Sequence, residues 1–277
     1  MGIEYSLERF GRKGDDFLPV GGTIAREAFR ILLGDRGFRP FNFLVYVKPA
    51  ADPRRFDAGI TPDTHLLITI SGPDTAGKTT LTRRLNELVP YNRVVTATSR
   101  RPGTRTINGA QQREVDGTDY HFISTEAFEE AIKKGELLEH TVTTKGDYYG
   151  VPRWALEDAI QGSYPITLVA VDINGALKIK NRAQEFDKLW VLNASILPLT
   201  SVTRYLCGVL NSRIRGRPLL EIPPEARVRF MRSYWEFMQA PRAEVVLFND
   251  FSPGGLDRTL SASESYLGAF YRKLQPQ

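Results

Sequence analysis

The sequence predicts an α/β fold with a mostly parallel central sheet, organised around one phosphate-binding loop. Three observations lead there. Gly72-x-x-x-x-Gly77-Lys78-Thr79, inside Ser71–Thr80, has the spacing of a P-loop. Before it stands His65–Ile70 (HLLITI), an apolar run rich in β-branched residues that reads as a strand. After it, Leu81, Leu85 and Leu88 recur at helical spacing within Leu81–Val89. The motif therefore sits in the strand–loop–helix context that its chemistry needs.

A loop that wraps phosphates must bring backbone N–H groups close to them, and Gly72 and Gly77 permit this. The following helix adds partial positive charge at its N-terminus. The expected nucleotide-binding stretch is Gly72, Pro73, Asp74, Thr75, Ala76, Gly77, Lys78, Thr79 and Thr80. Lys78 is expected to reach the β- and γ-phosphates, and the Thr79 hydroxyl to hold Mg²⁺. The ligand this predicts is a nucleoside triphosphate.

Composition bounds the rest. The chain has 277 residues, enough for one large domain or two smaller ones, and its 42% apolar content allows a sizeable core. No apolar run approaches the ~20 residues of a membrane span. The first residues, MGIEYSLERFGRKGDD, lack the apolar core of a signal peptide. Met1-Gly2 opens like a myristoylation signal, with Ser6 as its only support. A single cysteine, Cys207, excludes an internal disulfide and points to a reducing, cytoplasmic setting. The net charge of +5 suits anionic ligands but does not by itself argue nucleic-acid binding. Three scattered histidines make neither a metal site nor a triad.

Residues 1–61 read as an N-terminal extension. Thr23–Leu33 is expected as an amphipathic helix and Phe41–Val47 as a strand, followed by a loop with three prolines (KPAADPRRFDAGITPD). This extension carries no catalytic pattern and is expected to pack on the core or form a contact in a homo-oligomer. After the P-loop helix, Val94–Thr98 reads as a second strand. A polar segment follows with Arg100, Arg101, Arg105 and Arg113, closing on Asp119-Tyr120-His121-Phe122. The next helix has Ser124 as N-cap, Glu126 in its first turn, Phe128, Ala131 and Ile132 on one face, and Gly135 as its stop. Glu129–Lys133 and Glu130–Lys134 are spaced for ion pairs on its other face. Leu137–Val142 reads as a strand and KGDYYGV as a turn.

These segments resemble the guanylate kinase family. The similarity is carried by Arg100-x-Pro102, the run Glu114 to Ser124, Gly135-Glu136, Leu138-Glu139, Tyr148-Tyr149-Gly150 and Val171-Asp172-Ile173-x-Gly175-Ala176. It extends over about residues 64–274, most densely from 70 to 180. The resemblance implies a P-loop NTPase fold over 62–277, with a small acceptor-binding subdomain at 98–152 and a helical lid at 213–232. It implies Mg²⁺ with ATP as the donor and GMP or dGMP as the favoured acceptor. Arg100, Tyr120 and Tyr149 would hold the acceptor phosphate, and Glu139 the N1–H and N2–H₂ of guanine. Asp172 would lie near the base or Mg²⁺. Thr96, Arg113, Glu114 and Val151 complete the implied acceptor set. Arg215, Arg217 and Arg229 would act from the lid, and Asn249 from the adenine side. The carboxylate role makes physical sense, because an acceptor-only group pairs with two adjacent donors that adenine lacks.

The sequence departs from the family pattern at three places. Gly103 stands where a second phosphate-binding arginine is usual, and the segment to Glu114 is about eight residues longer. Arg101, Arg105 or Arg113 could supply the missing charge. Val151 follows Tyr-Tyr-Gly where a Ser or Thr is usual, a feature similar to a related kinase of phosphonate metabolism. Ala170 replaces a second acid on the strand that leads to Asp172. Three other readings therefore stay open: a kinase for another phosphorylated acceptor, a non-catalytic binding module of guanylate kinase type, and a nucleic-acid-binding protein. Beyond Asp172, Leu189–Ser195 reads as a parallel strand, Leu199–Leu210 as a helix, Val245–Asp250 as the last strand and about 256–273 as the last helix.

Overall fold

The computed structural model describes residues 60–74, 76–107, 110–143, 145–198, 224–249 and 255–274. The expectations for Thr23–Leu33, Phe41–Val47, Thr75 and Leu199–Leu210, and for the lid arginines Arg215 and Arg217, lie outside the described residues, as does the side chain of Arg229.

The central sheet contains β1 (His65–Ser71), β2 (Asn92–Arg93), β9 (Ile166–Ala170), β10 (Leu189–Pro198) and β11 (Val245–Asn249). Their order is β11-β10-β1-β9-β2 and every pair is parallel. Parallel strands need both faces covered, and β1 shows why its run is apolar almost throughout. Leu66, Ile68 and Ile70 share one cluster with Leu81 and Leu85 of α1 (Lys78–Leu88) and with Leu260, Leu267 and Phe270 of α6 (Gly255–Leu274). Leu67 joins the other cluster, with Val94, Leu138, Val151, Val169 and Val191. Leu88, which shares the helical spacing of Leu81 and Leu85, is 48% exposed at the helix end.

A second sheet, β6-β3-β8-β7, stands apart from the first. It comprises β3 (Ala97–Thr98), β6 (His121–Phe122), β7 (Leu137–Val142) and β8 (Tyr148–Pro152). Two expectations change here. Val94–Thr98 is not one strand: Asn92, Arg93 and the Val94 N–H complete the central sheet against β9, and the chain then crosses to pair Ala97 and Thr98 with β6 and β8. Tyr148 and Tyr149 do not form a turn but belong to β8, antiparallel to both β7 and β3. The turn precedes them at Gly146.

Helix α2 (Thr125–Lys133) follows its sequence signals. Ser124 Oγ accepts the Ala127 N–H at 3.1 Å, and Gly135 stops the helix at φ +70°. Phe128 is fully buried between this helix and the second sheet, stacked on Tyr148. The lengthened arginine segment forms a hairpin of β4 (Thr104–Ile107) and β5 (Ala110–Arg113). The remaining helices are α3 (Arg153–Ile160), α4 (Ile173–Asn181) and α5 (Pro224–Gln239). No helix among the described residues is long and apolar enough to cross a membrane.

Candidate active site

The candidate site lies along the carboxyl ends of the parallel strands, where open α/β sheets gather their ligands. The loop after β1 supplies the P-loop, the end of β9 leads to Asp172, and the end of β11 supplies Asn249. Gly72 sits at φ +131°, and a Cβ placed there would stand 2.1 Å from the Ile196 carbonyl oxygen. Only glycine fits so close to β10 in that conformation. Gly77 caps α1 at φ +86°, and Thr79 and Thr80 are exposed on the first turn.

Lys78 folds back over the loop. Its Nζ donates to the Gly72 carbonyl at 2.6 Å and to the Pro73 carbonyl at 2.9 Å. Burial lowers its pKa from the ordinary lysine value, while the charges of Asp74 and Glu236 oppose that shift. Asn249, expected beside adenine, is only 3% exposed. Its Nδ2 donates to the carbonyl of the fully buried Ala76 at 2.9 Å. The side chain thus ties the end of β11 to the loop at Ala76.

A second cluster forms around Arg100. Its Nη1 and Nη2 donate to the two carboxylate oxygens of Glu114 at 2.6 and 2.7 Å, a bidentate pair. Its Nε donates to the Tyr149 hydroxyl at 2.8 Å, and its guanidinium lies 5.0 Å from the centre of the Tyr120 ring. Tyr120 and Tyr149 meet edge to face at 5.9 Å. Glu114 also accepts the Gly103 N–H at 2.7 Å. Strand alternation separates the two neighbouring tyrosines: Tyr149 turns to Arg100, while Tyr148 stacks on Phe128 and donates to Glu129 at 3.1 Å. The structure therefore brings Arg100, Glu114, Tyr120 and Tyr149 together. Arg113 is exposed at the end of β5 opposite Thr104, and Arg101 is exposed as well.

The third cluster is acidic. Glu139 is 8% exposed and packs closely on α4: a Cβ on Gly175 would stand 2.9 Å from its Oε2, so a larger residue there would have to push the carboxylate aside. Burial and the nearby Asp172 push its carboxyl up to about 7, against the opposing charges of Lys178 and Arg232. Asp172 is the N-cap of α4: its Oδ1 accepts the Gly175 N–H at 2.7 Å, and its Oδ2 lies 3.9 Å from Arg232 Nη2. Val151 faces Glu139 across the β7–β8 ladder but is fully buried in the apolar cluster. Expected among the acceptor contacts, it gives Glu139 an apolar neighbour and no hydrogen bond. Thr96 is half-buried where the chain passes between the two sheets. Ala170 is exposed at the end of β9.

Two residues of α5 reach these clusters, and only Arg232, the last residue of the expected lid segment 213–232, carried a sequence signal. Arg232 faces Asp172, and Glu236 accepts the Gly72 N–H at 3.2 Å. Glu236 lies 164 residues from its partner, and no local spacing could have joined them.

Comparisons with known proteins give the family. A family model for guanylate kinase matches residues 64–201. The guanylate kinase of Clostridioides difficile (strain 630) is 32% identical over 188 residues, covering 67% of this chain and 80% of that protein. The chain belongs to the guanylate kinase family. The family's guanylate kinase from Desulfitobacterium hafniense (strain Y51) is 40% identical over 118 residues, which cover 42% of this chain and 54% of that one. Among solved structures, the guanylate kinase of Anaplasma phagocytophilum aligns with 78% of this chain and 88% of its own, at 23% identity and a TM-score of 0.48.

Proposed function

We propose that the chain transfers the γ-phosphoryl group of Mg·ATP to the phosphate of GMP or dGMP, giving ADP and a guanosine diphosphate. The observation that carries the guanine assignment is Glu139: a buried carboxylate to which no described residue donates a hydrogen bond. A buried charge without donors is costly, and guanine N1–H and N2–H₂ would supply two. Arg100, Tyr120 and Tyr149 would hold the acceptor phosphate, with Glu114 keeping the guanidinium in place. The subdomain at 98–152 would then be the acceptor-binding unit, the extension at 1–61 an added element and 213–232 the lid.

Thr79 fits the role of a Mg²⁺ ligand, because its hydroxyl stands exposed beside Lys78 at the start of α1. Asp172 fits a direct metal role less well, since one oxygen caps α4 and the other faces Arg232. Bound Mg²⁺ would neutralise charge on the β- and γ-phosphates. The acceptor phosphate is already an anionic nucleophile and needs no strong general base. The chain's contribution is to align the two phosphates and neutralise charge through Lys78 and the family's lid arginines, at Arg215, Arg217 and Arg229. The single cysteine, Cys207, supports a reducing, cytoplasmic setting.

A second reading has one observation in its favour. Val151 offers no hydrogen bond beside Glu139, which would suit a different phosphorylated acceptor, such as a modified nucleotide or a ribose phosphate. Coupled ADP release from Mg·ATP, scanned over GMP, dGMP, AMP, UMP, dTMP and ribose phosphates, separates the two. Turnover with GMP or dGMP that is lost in Lys78→Ala and strongly weakened in Glu139→Ala is the expected result. Turnover with another acceptor alone would overturn the guanine assignment.

A further inference from the structure

We propose that Glu236 is a positioning residue for nucleotide binding, holding the first glycine of the P-loop so that the rest of the loop is shaped for phosphate. The proposal rests on the reading of the loop as a triphosphate site and is independent of which acceptor is used.

Gly72 is held from two sides. Its carbonyl accepts Lys78 Nζ at 2.6 Å, and its N–H donates to Glu236 Oε2 at 3.2 Å. The residue is buried against the Ile196 carbonyl at φ +131°, a conformation open to glycine and closed to residues with a Cβ. A buried N–H in such a place is expensive to leave unpaired. Glu236 is 4% exposed and 164 residues away, so α5 must be docked on the loop for the bond to form. The backbone N–H of Ile173, in the first turn of α4, favours the charged form of the Glu236 carboxyl.

The charged groups facing Glu236 are Lys78 of α1, Asp172 at the cap of α4 and Arg232 one turn earlier on α5. Burial and Asp172 shift its carboxyl towards the protonated form, and Lys78 and Arg232 oppose this. A neutral acceptor of the same shape can hold the Gly72 N–H as well, and this sets the test. Glu236→Gln keeps an acceptor oxygen and drops the charge, whereas Glu236→Ala removes both.

The experiment is equilibrium binding of Mg·ATP to the full chain and both variants, with GMP binding and thermal melting measured in parallel. Glu236→Ala should weaken Mg·ATP about tenfold or more, as expected for loss of a hydrogen bond to a carboxylate, and leave GMP affinity within about twofold. Glu236→Gln should restore most of the loss. In turnover, the defect of Glu236→Ala should appear as a raised KM for ATP more than as a lowered kcat. If Glu236→Ala does not fold, Glu236→Asp, which withdraws the acceptor by one methylene, takes its place. Equal Mg·ATP affinity in Glu236→Ala and the wild type would overturn the proposal. So would equal weakening of GMP and ATP, or a Gln variant that melts normally yet binds no better than Ala. A wild-type chain that binds Mg·ATP but does not phosphorylate GMP would sink the acceptor assignment alone, and one that binds no Mg·ATP would sink both.

Discussion

Replacing Glu139 by glutamine should stabilise the free protein while disabling its recognition of guanine. The carboxyl is pushed from an ordinary value of 4.5 to about 7, first by burial and then by Asp172. With a raised folded-state pKa, the native chain keeps a proton that the unfolded chain has already lost. Stability from this group is therefore fully present below pH 4.5 and falls as pH rises towards 7, staying low above it. A shift of this size corresponds to a cost of about 3 kcal/mol at pH 8, but less than about 1 kcal/mol at pH 5. Glutamine has nearly the same shape and no charge, so it should recover that difference. In urea unfolding or thermal melting at pH 8, Glu139→Gln should gain about 3 kcal/mol, or roughly 6–10 °C for a domain of this size. At pH 5 the gain should nearly vanish. GMP affinity should fall about a hundredfold or more, because an amide cannot accept from both guanine donors. A variant no more stable than wild type at pH 8, or equally stabilised at both pH values, would refute the argument, since packing and not charge would then explain the change.

If Glu139 accepts from guanine as proposed, kcat/KM for GMP should fall about tenfold per pH unit below about 7, as the carboxyl takes up a proton; a pH–rate profile checks this. Gly72→Ala places a Cβ 2.1 Å from the Ile196 carbonyl oxygen at a positive φ. It should cost about 3 kcal/mol or more by chemical denaturation, or force the loop out of its binding shape. Glu114→Ala removes both bonds to Arg100 and the acceptor of the Gly103 N–H. It should destabilise by about 1–3 kcal/mol and speed amide exchange in the β4–β5 hairpin, read by hydrogen exchange.

Much of the fold was legible because its signals are local. The strand before the P-loop, the helix after it, the Ser124 cap and the Gly135 stop each depend on residues within a few positions of one another. The alternation that separates Tyr148 from Tyr149 was hidden because Tyr-Tyr-Gly after Lys145-Gly146-Asp147 carries turn composition, and only pairing with β7 and β3 makes it a strand. Val94–Thr98 looked like one strand because its residues suit any sheet; two different partners divide it.

The sequence alone determined the phosphate-binding chemistry, since glycine spacing, Lys78 and Thr79 act within one loop and need little else to be recognised. It also determined which acids and aromatic residues could recognise an acceptor, through motifs in the family's order. The tertiary structure decided how those groups are spent. Arg100 is bound to Glu114, Asp172 faces Arg232, Asn249 braces Ala76, and Val151 is sealed in the core. It decided Glu236 as well. Each of these outcomes is set by burial or by a partner whose distance in space no spacing along the chain encodes.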